Sequence, residues 1–340
     1  MQLDVGLPVE GDHLATIREV ARAAEALGFA GLWTSETKHD AFLPLVLAAE
    51  HTQRLALGTA VAIAFGRSPM VTAQIAWDLQ RFSNGRLLLG LGTQVKAHIE
   101  RRFSMPWDAP VARLRDYIQA LRAIWHSFQN DAPLEYRGPY YQHTLLTPFF
   151  NPGPIEHPQI PIYIAGVNTG LARLAGELCQ GFHVHPFHSP QYVREVVLPA
   201  IQAGAAAQGR AAAAVTLAAS VFVITGRTAE QRHAQREAIR RQIAFYASTP
   251  SYRVVLEVHG WAEAGERLSR LAATKRWGEM PALITDEMLA AYAVEGEPDA
   301  IGALVRQRYQ GLIERVAFYL PFTPGVDDAF WRGVIDALRD

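Results

Sequence analysis

Two spacings of apolar residues alternate along the chain. Short continuous aliphatic runs are separated by longer stretches in which apolar positions return every three or four residues. The first pattern is that of strands buried on both faces of a parallel sheet, and the second is that of amphipathic helices. The clearest unit spans residues 54–93, RLALGTAVAIAFGRSPMVTAQIAWDLQRFSNGRLLLGLGT. Its first apolar run leads to Ser68-Pro69, a helix N-cap followed by proline at the first helical position, where a missing N–H costs nothing. The helix runs to about Phe82, Asn84-Gly85 stops it, and residues 86–90 start a second strand that ends in GLGT. Strand, helix, strand in this order is a right-handed βαβ unit, and its ligand edge lies at the C-terminal ends of the strands.

The alternation continues over the rest of the chain. Further strands are predicted at residues 3–7, 29–35, 162–165, 181–185, 215–224 and 316–320. Helices are predicted at 12–27, with Asp12 as cap and Gly28 as stop, and at 41–51, 110–128, 170–178, 189–208, 228–246, 299–310 and 324–339. Eight strands alternating with helices predict one α/β domain over residues 1–340, a (β/α)₈ TIM barrel with insertions at about 129–160 and 247–300. A doubly wound open sheet also alternates, but it usually has fewer strands and needs a switch point. The first insertion is rich in proline and aromatic residues and too long for an ordinary connection, so it is expected to cover a site. Its Tyr136, Tyr140, Tyr141, Phe149 and Phe150 would form an apolar lid or, equally, an oligomer contact.

Composition narrows the function classes. At 340 residues and 49% hydrophobic content the chain can bury a large core, and a net charge of −1 offers no basic field for nucleic acid. The one cysteine, Cys179, rules out an intramolecular disulfide, fits a reducing interior and falls on an apolar helix face as inert core. The apolar runs fall short of the ~18 residues of a membrane span, and MQLDVGLPVEGD lacks the start of a signal peptide. The expectation is a soluble cytoplasmic protein with a small-molecule substrate.

Several short constellations carry candidate chemistry. GVNTGLARLAG at residues 166–176 follows the fifth strand, where the backbone N–H groups of Val167, Asn168 and Thr169 at a helix N-terminus would attract an anion. An ordinary Asn/Thr helix cap gives the same pattern. GLGTQV at 90–95 matches only part of a dinucleotide fingerprint, lacking the last glycine and the acidic residue at ribose spacing. The second strand ends in SETKHD, which brings Glu36, Thr37, His39 and Asp40 to the ligand edge. His183 and His185 share one face of the sixth strand, a pairing also found in metallohydrolases. No carboxylate ends the eighth strand and no ligand pair ends the first, so no metal ligands are assigned.

LGTAVAIAFGRSP and NGRLLLGLGT resemble the third and fourth strands of the bacterial-luciferase-like flavin and deazaflavin oxidoreductases. ARLRDYIQALRAIW, IPIYIAGVNTGLARLAGELCQGFHVHPF and GEPDAIGALVRQRYQGLIERVAFYLP extend the resemblance to the fourth helix, the fifth and sixth units and the last crossover. The resemblance implies a non-prolyl cis peptide at Ala60-Val61 that backs the cofactor ring, with Gly92, Thr93 and Gln94 along the ring edge. It implies that the turn Gly166 to Thr169 binds the cofactor phosphate, and that one of His183 and His185 contacts cofactor or substrate while the other packs inside. Arg67 would pair with charges on the cofactor tail, although a surface arginine at a helix start reads the same way. Glu36 would hydrogen-bond the ring. Thr37 departs from the histidine that commonly follows this acidic residue, which leaves the proton donor open, with His39 as its substitute. Among these enzymes the sequence looks closer to the deazaflavin-using branch (coenzyme F420) than to the FMN-using luciferases. The implied activity is hydride transfer between coenzyme F420 and a small organic substrate, in a homo-oligomer, expected to be a dimer. The alternatives are an FMN-dependent monooxygenase on the same fold and a non-catalytic flavin- or deazaflavin-binding protein.

Overall fold

Eight parallel strands close into a barrel in the computed structural model, which describes residues 1–7 and 13–339. They are β1 (Gln2–Gly6), β2 (Gly31–Thr34), β3 (Ala56–Thr59, resumed at Ala62–Ile63), β4 (Leu87–Gly92), β5 (Ile162–Gly166), β6 (Gly181–Val184), β7 (Thr216–Ile224) and β8 (Arg315–Phe318). Each pairs with its neighbours in chain order. The ring closes at Arg315, whose backbone is in register with Gln2 of β1 and Ala218 of β7. Every residue of β2 and β8 is buried, as continuous runs covered on both faces must be.

The helices that alternate with the strands are α1 (His13–Leu27), α2 (Leu43–His51), α3 (Pro69–Phe82), α4 (Pro110–Asn130), α5 (Thr169–Leu178), α6 (Leu198–Ala207), α7 (Ala229–Ala247), α8 (Ile301–Tyr309) and α9 (Asp328–Arg339), with shorter helices in the connections and Ala262–Ala273 in the 247–300 segment. The local signals act as expected in α3. The Ser68 hydroxyl accepts a hydrogen bond from Val71 N, Pro69 opens the helix, and Asn84 and Gly85 end it with positive φ of 55° and 81°. The expected Asp12 cap of α1 lies outside the described residues.

Inside the barrel the floor is polar and paired. Arg315 grips Asp4 with two bonds of 2.8 and 2.6 Å, and the Trp33 indole donates to the same carboxylate at 2.8 Å. All three come from neighbouring strands of the closure, so the ion pair ties β8 to β1 across the seam.

Two features depart from the expected layout. The 129–160 segment does not cover the ligand edge. It carries a small hairpin, Tyr136–Arg137 with Gln142–His143, and lies along the outer face of α3 and α4. Its polar groups are taken up there: Asp116 of α4 accepts from Tyr140 N and Tyr141 N at 2.8 Å each and from the Tyr136 hydroxyl, while Trp77 and Gln80 of α3 donate to Gly153 O and His157 O. The 247–300 segment is largely helical, as predicted, but ends in a strand, Ala293–Glu295, that pairs in parallel with β7. Three residues directly after a helix carry too little periodicity to show as a strand.

Candidate active-site cleft

The C-terminal ends of the strands surround a cleft of about 990 Å³. Its most irregular wall is the break in β3. Between Thr59 and Ala62 the chain leaves the ladder, and the Ala60–Val61 peptide, which has no proline, is cis. The neighbours hold this bulge from both sides. Thr59 Oγ1 donates to Gly90 O at 2.6 Å and accepts from Gly90 N at 2.9 Å, replacing the ladder bonds that β3 cannot make with β4. On the other side Ala60 N donates to Thr34 O at 2.6 Å and Glu36 N to Val61 O at 3.2 Å. Pairing resumes at Ala62 opposite Leu91. Ala60 and Val61 are thereby turned half-buried into the cleft. Gly92 permits this, because a Cβ there would stand 2.4 Å from Val61 Cγ2.

Glu36 sits beside the bulge at the end of β2 and is 9% exposed. Its Oε2 accepts from Ile63 N at 2.7 Å and from Arg67 at 2.6 Å. The other end of the Arg67 guanidinium holds Asp40 at 2.6 Å, over the Phe42 ring. Burial disfavours the Arg67 cation, but its bonds to Glu36 and Asp40 and their charges outweigh that and raise its pKa. Arg67 therefore does not reach the cleft itself. Its guanidinium instead clamps Glu36 and Asp40, both on the connection between β2 and α2. Thr37 lines the cleft, and its carbonyl accepts from Arg102. His39 is exposed and lies off the cleft wall.

Thr93 and Gln94 continue the wall after β4, Gln94 with a positive φ of 58°. Gly166, Val167 and Asn168 follow β5 and also line it. Asn168 occupies the N-cap of α5 yet makes no side-chain cap bond, so the first-turn N–H groups receive nothing from it. Gly166 is packed against Leu171, whose Cβ would lie 2.6 Å from an added methyl. Thr169 is the first helical residue and is exposed, with its side chain off the wall.

The two β6 histidines take different surroundings. His183 points into the barrel between Trp33 (4.7 Å between ring centroids) and Tyr163 (5.3 Å). Burial, helped by the Arg315 charge, pushes it down to about 3. His185 stands at the mouth, 4.6 Å from the Tyr246 ring and 4.7 Å from the Tyr252 ring. Its Nδ1 accepts from Phe187 N at 3.1 Å, which leaves the proton of the neutral ring on Nε2. Burial and the neighbouring His188 hold it at about 3. No group of three or more His, Cys, Asp or Glu side chains is placed to hold a metal among the described residues. Cys179 is fully buried, and burial raises its thiol to about 12.

Several cleft residues had no signal in the sequence. Lys96 and Trp107 come from the connection after β4, Tyr246 from the end of α7, Tyr252 from the 247–300 segment and Tyr319 from the end of β8. Tyr319 alone falls in a stretch quoted for the resemblance, with no role attached, and only the closure of the barrel brings the five to one rim. Of the two insertions, only residues 247–300 contribute to the cleft, through Ser251 and Tyr252.

A closed (β/α)₈ barrel with a bulged, cis-peptide third strand opening on a deep cleft defines a cofactor-scale site at the strand ends. The chain belongs to the luciferase-like monooxygenase family, whose profile matches residues 1–315. An uncharacterized protein of Mycobacterium tuberculosis is 46% identical over 316 residues, covering 93% of this chain and 92% of its own. The 5,10-methylenetetrahydromethanopterin reductase of Archaeoglobus fulgidus is 26% identical over 311 residues, with 89% of each chain covered. The coenzyme F420-dependent tetrahydromethanopterin reductase of Methanopyrus kandleri shares the fold, with a TM-score of 0.78 at 22% identity over 99% of this chain and 98% of its own. No helix among the described residues is long and apolar enough to cross a membrane.

Proposed function

We propose that the protein is an oxidoreductase that binds coenzyme F420 in this cleft and transfers a hydride between it and a small organic substrate. The observation that carries the proposal is the break in β3, which turns Ala60 and Val61 into the cleft between Glu36 and Gly92. The reductases to which the chain is similar, one of them F420-dependent by name, support the choice of cofactor.

The residues present fit such a group. The uncapped first turn of α5, entered through Gly166, suits a phosphate, because its N–H groups and helix dipole favour an anion. Ala60 and Val61 would back the ring, and Gly92, Thr93 and Gln94 would border it. When bound, the deazaflavin supplies the hydride chemistry. Glu36, held by Ile63 N–H and Arg67 through one oxygen, would offer its second oxygen to a ring N–H. We further propose that the chain forms one domain and a dimer, using the exposed Leu43 and Val46 of α2 with Val71 and Phe82 of α3.

Titration of the purified protein with oxidised coenzyme F420 and, separately, with FMN tests the assignment through cofactor fluorescence. Tight binding of the deazaflavin with weak binding of FMN is expected. Tight binding of FMN alone would reassign the protein to oxygen-using chemistry, and binding of neither would overturn the site.

A further inference from the structure

The walls of the cleft divide into unlike halves. The bulge, Glu36, the Gly92–Gln94 segment and the α5 N-terminus all lie on the β2–β5 side. Opposite them stand β6 to β8 and the tip of the 247–300 segment, which contribute His185, Tyr246, Ser251, Tyr252, Ser220 and Tyr319. The charged Asp, Glu, Lys and Arg residues lining the cleft are Asp4, Glu36, Lys96 and Arg315. Asp4 and Arg315 neutralise each other at the floor, Glu36 follows β2, and Lys96 follows β4. Among the described lining residues of the β6–β8 wall above that floor, none carries a fixed charge.

This wall nevertheless holds aimed polar groups. His185 is fixed by Phe187 N–H on Nδ1, wedged between two tyrosine rings, and presents Nε2–H as a donor. The Tyr246 hydroxyl lies 3.3 Å from that of Tyr319, which is 40% exposed and so reaches solvent.

We propose that the β6–β8 wall is the substrate's seat and takes a neutral carbonyl compound or its alcohol, whose oxygen is held by His185 Nε2–H and served by the Tyr246–Tyr319 pair. This rests on the functional assignment above. An anionic substrate would be desolvated there without a cation to meet it, which is costly, whereas a carbonyl oxygen finds preformed donors. In reduction of a ketone, the carbonyl carbon gains a hydride with its electron pair from the reduced deazaflavin, which is oxidised. The oxygen gains one proton, delivered from solvent through Tyr319 and Tyr246, and the C=O π bond becomes C–H and O–H bonds. His185 stays neutral throughout and acts by holding the oxygen.

The test uses cyclohexanone and cyclohexanecarboxylate as matched probes, followed by saturation-transfer NMR on the protein with and without oxidised deazaflavin. Deazaflavin affinity is measured separately by fluorescence. Cyclohexanone should bind at least about tenfold more tightly than the carboxylate. His185→Asn should weaken cyclohexanone about fivefold, the loss of one aimed hydrogen bond, and leave deazaflavin affinity unchanged. Tyr319→Phe should leave probe binding unchanged and lower the rate of cyclohexanone reduction without changing its KM. Equal or tighter binding of the carboxylate, binding of neither probe, or cyclohexanone binding indifferent to His185→Asn would overturn the proposal. A protein that fails to bind deazaflavin yet takes cyclohexanone in a His185-dependent manner would overturn the cofactor assignment and keep the seat.

Discussion

Arg67 shows how a single residue changes meaning between chain and fold. In the sequence it follows a strand and precedes a helix cap, a position equally suited to gripping a ligand or facing solvent. In the fold its guanidinium bridges Glu36 and Asp40. Replacing it by methionine would leave the largely buried Glu36 carboxyl with only the bond from Ile63 N. We expect Arg67→Met to cost about 2–3 kcal/mol in denaturant unfolding, below the usual range for breaking a buried pair because Asp40 keeps partial access to water. Arg67→Lys should recover only part of this, since one ammonium cannot hold both carboxylates in the same fork geometry. The histidines give a pH dependence. His183 and His185 are held at about 3 and His188 at about 4, all below their unfolded value of 6.5, because burial disfavours the imidazolium. Between these values the unfolded chain takes up protons that the native state refuses. The stabilisation is complete above pH 6.5 and is lost progressively as pH falls towards 3–4, at up to about 2 kcal/mol per histidine by pH 5. Urea unfolding at pH 7 and 5 should show this loss, and His188→Asn, which can keep the bond to His185 O, should reduce it.

At the scale of elements, the bulged β3 depends on its neighbour β4. Adding a methyl at Gly92 would place carbon 2.4 Å from Val61 Cγ2, and the backbone on both sides is tied by Thr59 and Ala60. Gly92→Ala should therefore push the bulge out of position, costing about 1–3 kcal/mol and weakening deazaflavin binding. The Val61→Ala exchange removes the colliding methyl and leaves Cβ at 3.5 Å, so the double variant should regain binding that the single variant loses. A cofactor titration of the three variants checks this. Failure of the second exchange to rescue the first would mean that Gly92 serves something other than the room for Val61.

The whole molecule is closed by one charged seam. Asp4 and Arg315 lie at 2% and 8% exposure and join the first strand to the last, 311 residues apart in sequence. Asp4→Ala would strand the arginine in the barrel, and about 3–5 kcal/mol of stability should be lost, read from the urea midpoint. The outer excursion should behave oppositely. Phe149 and Phe150 are 88% and 63% exposed and stand away from the cleft, so replacing both by serine should leave stability and cofactor affinity within about 0.5 kcal/mol of the parent.

Legibility in the sequence followed the range of the forces involved. Strand and helix order, the α3 cap and stop, and the strand ends as the rim of a cleft depend on residues close in the chain, and each was readable from periodicity, Ser-Pro and Asn-Gly signals. The place of the bulge was legible only through family resemblance, since nothing in the residues Ala60 and Val61 themselves distinguishes a cis peptide. The tertiary structure alone decided which polar groups meet. It paired Arg67 with Glu36 and Asp40, laid the 129–160 segment along the outer helices instead of over the mouth, and set Tyr246 and Tyr252 against His185, with Tyr319 against Tyr246. Those partners lie tens to hundreds of residues apart, and local spacing carries no information about which of them barrel closure will bring to one rim.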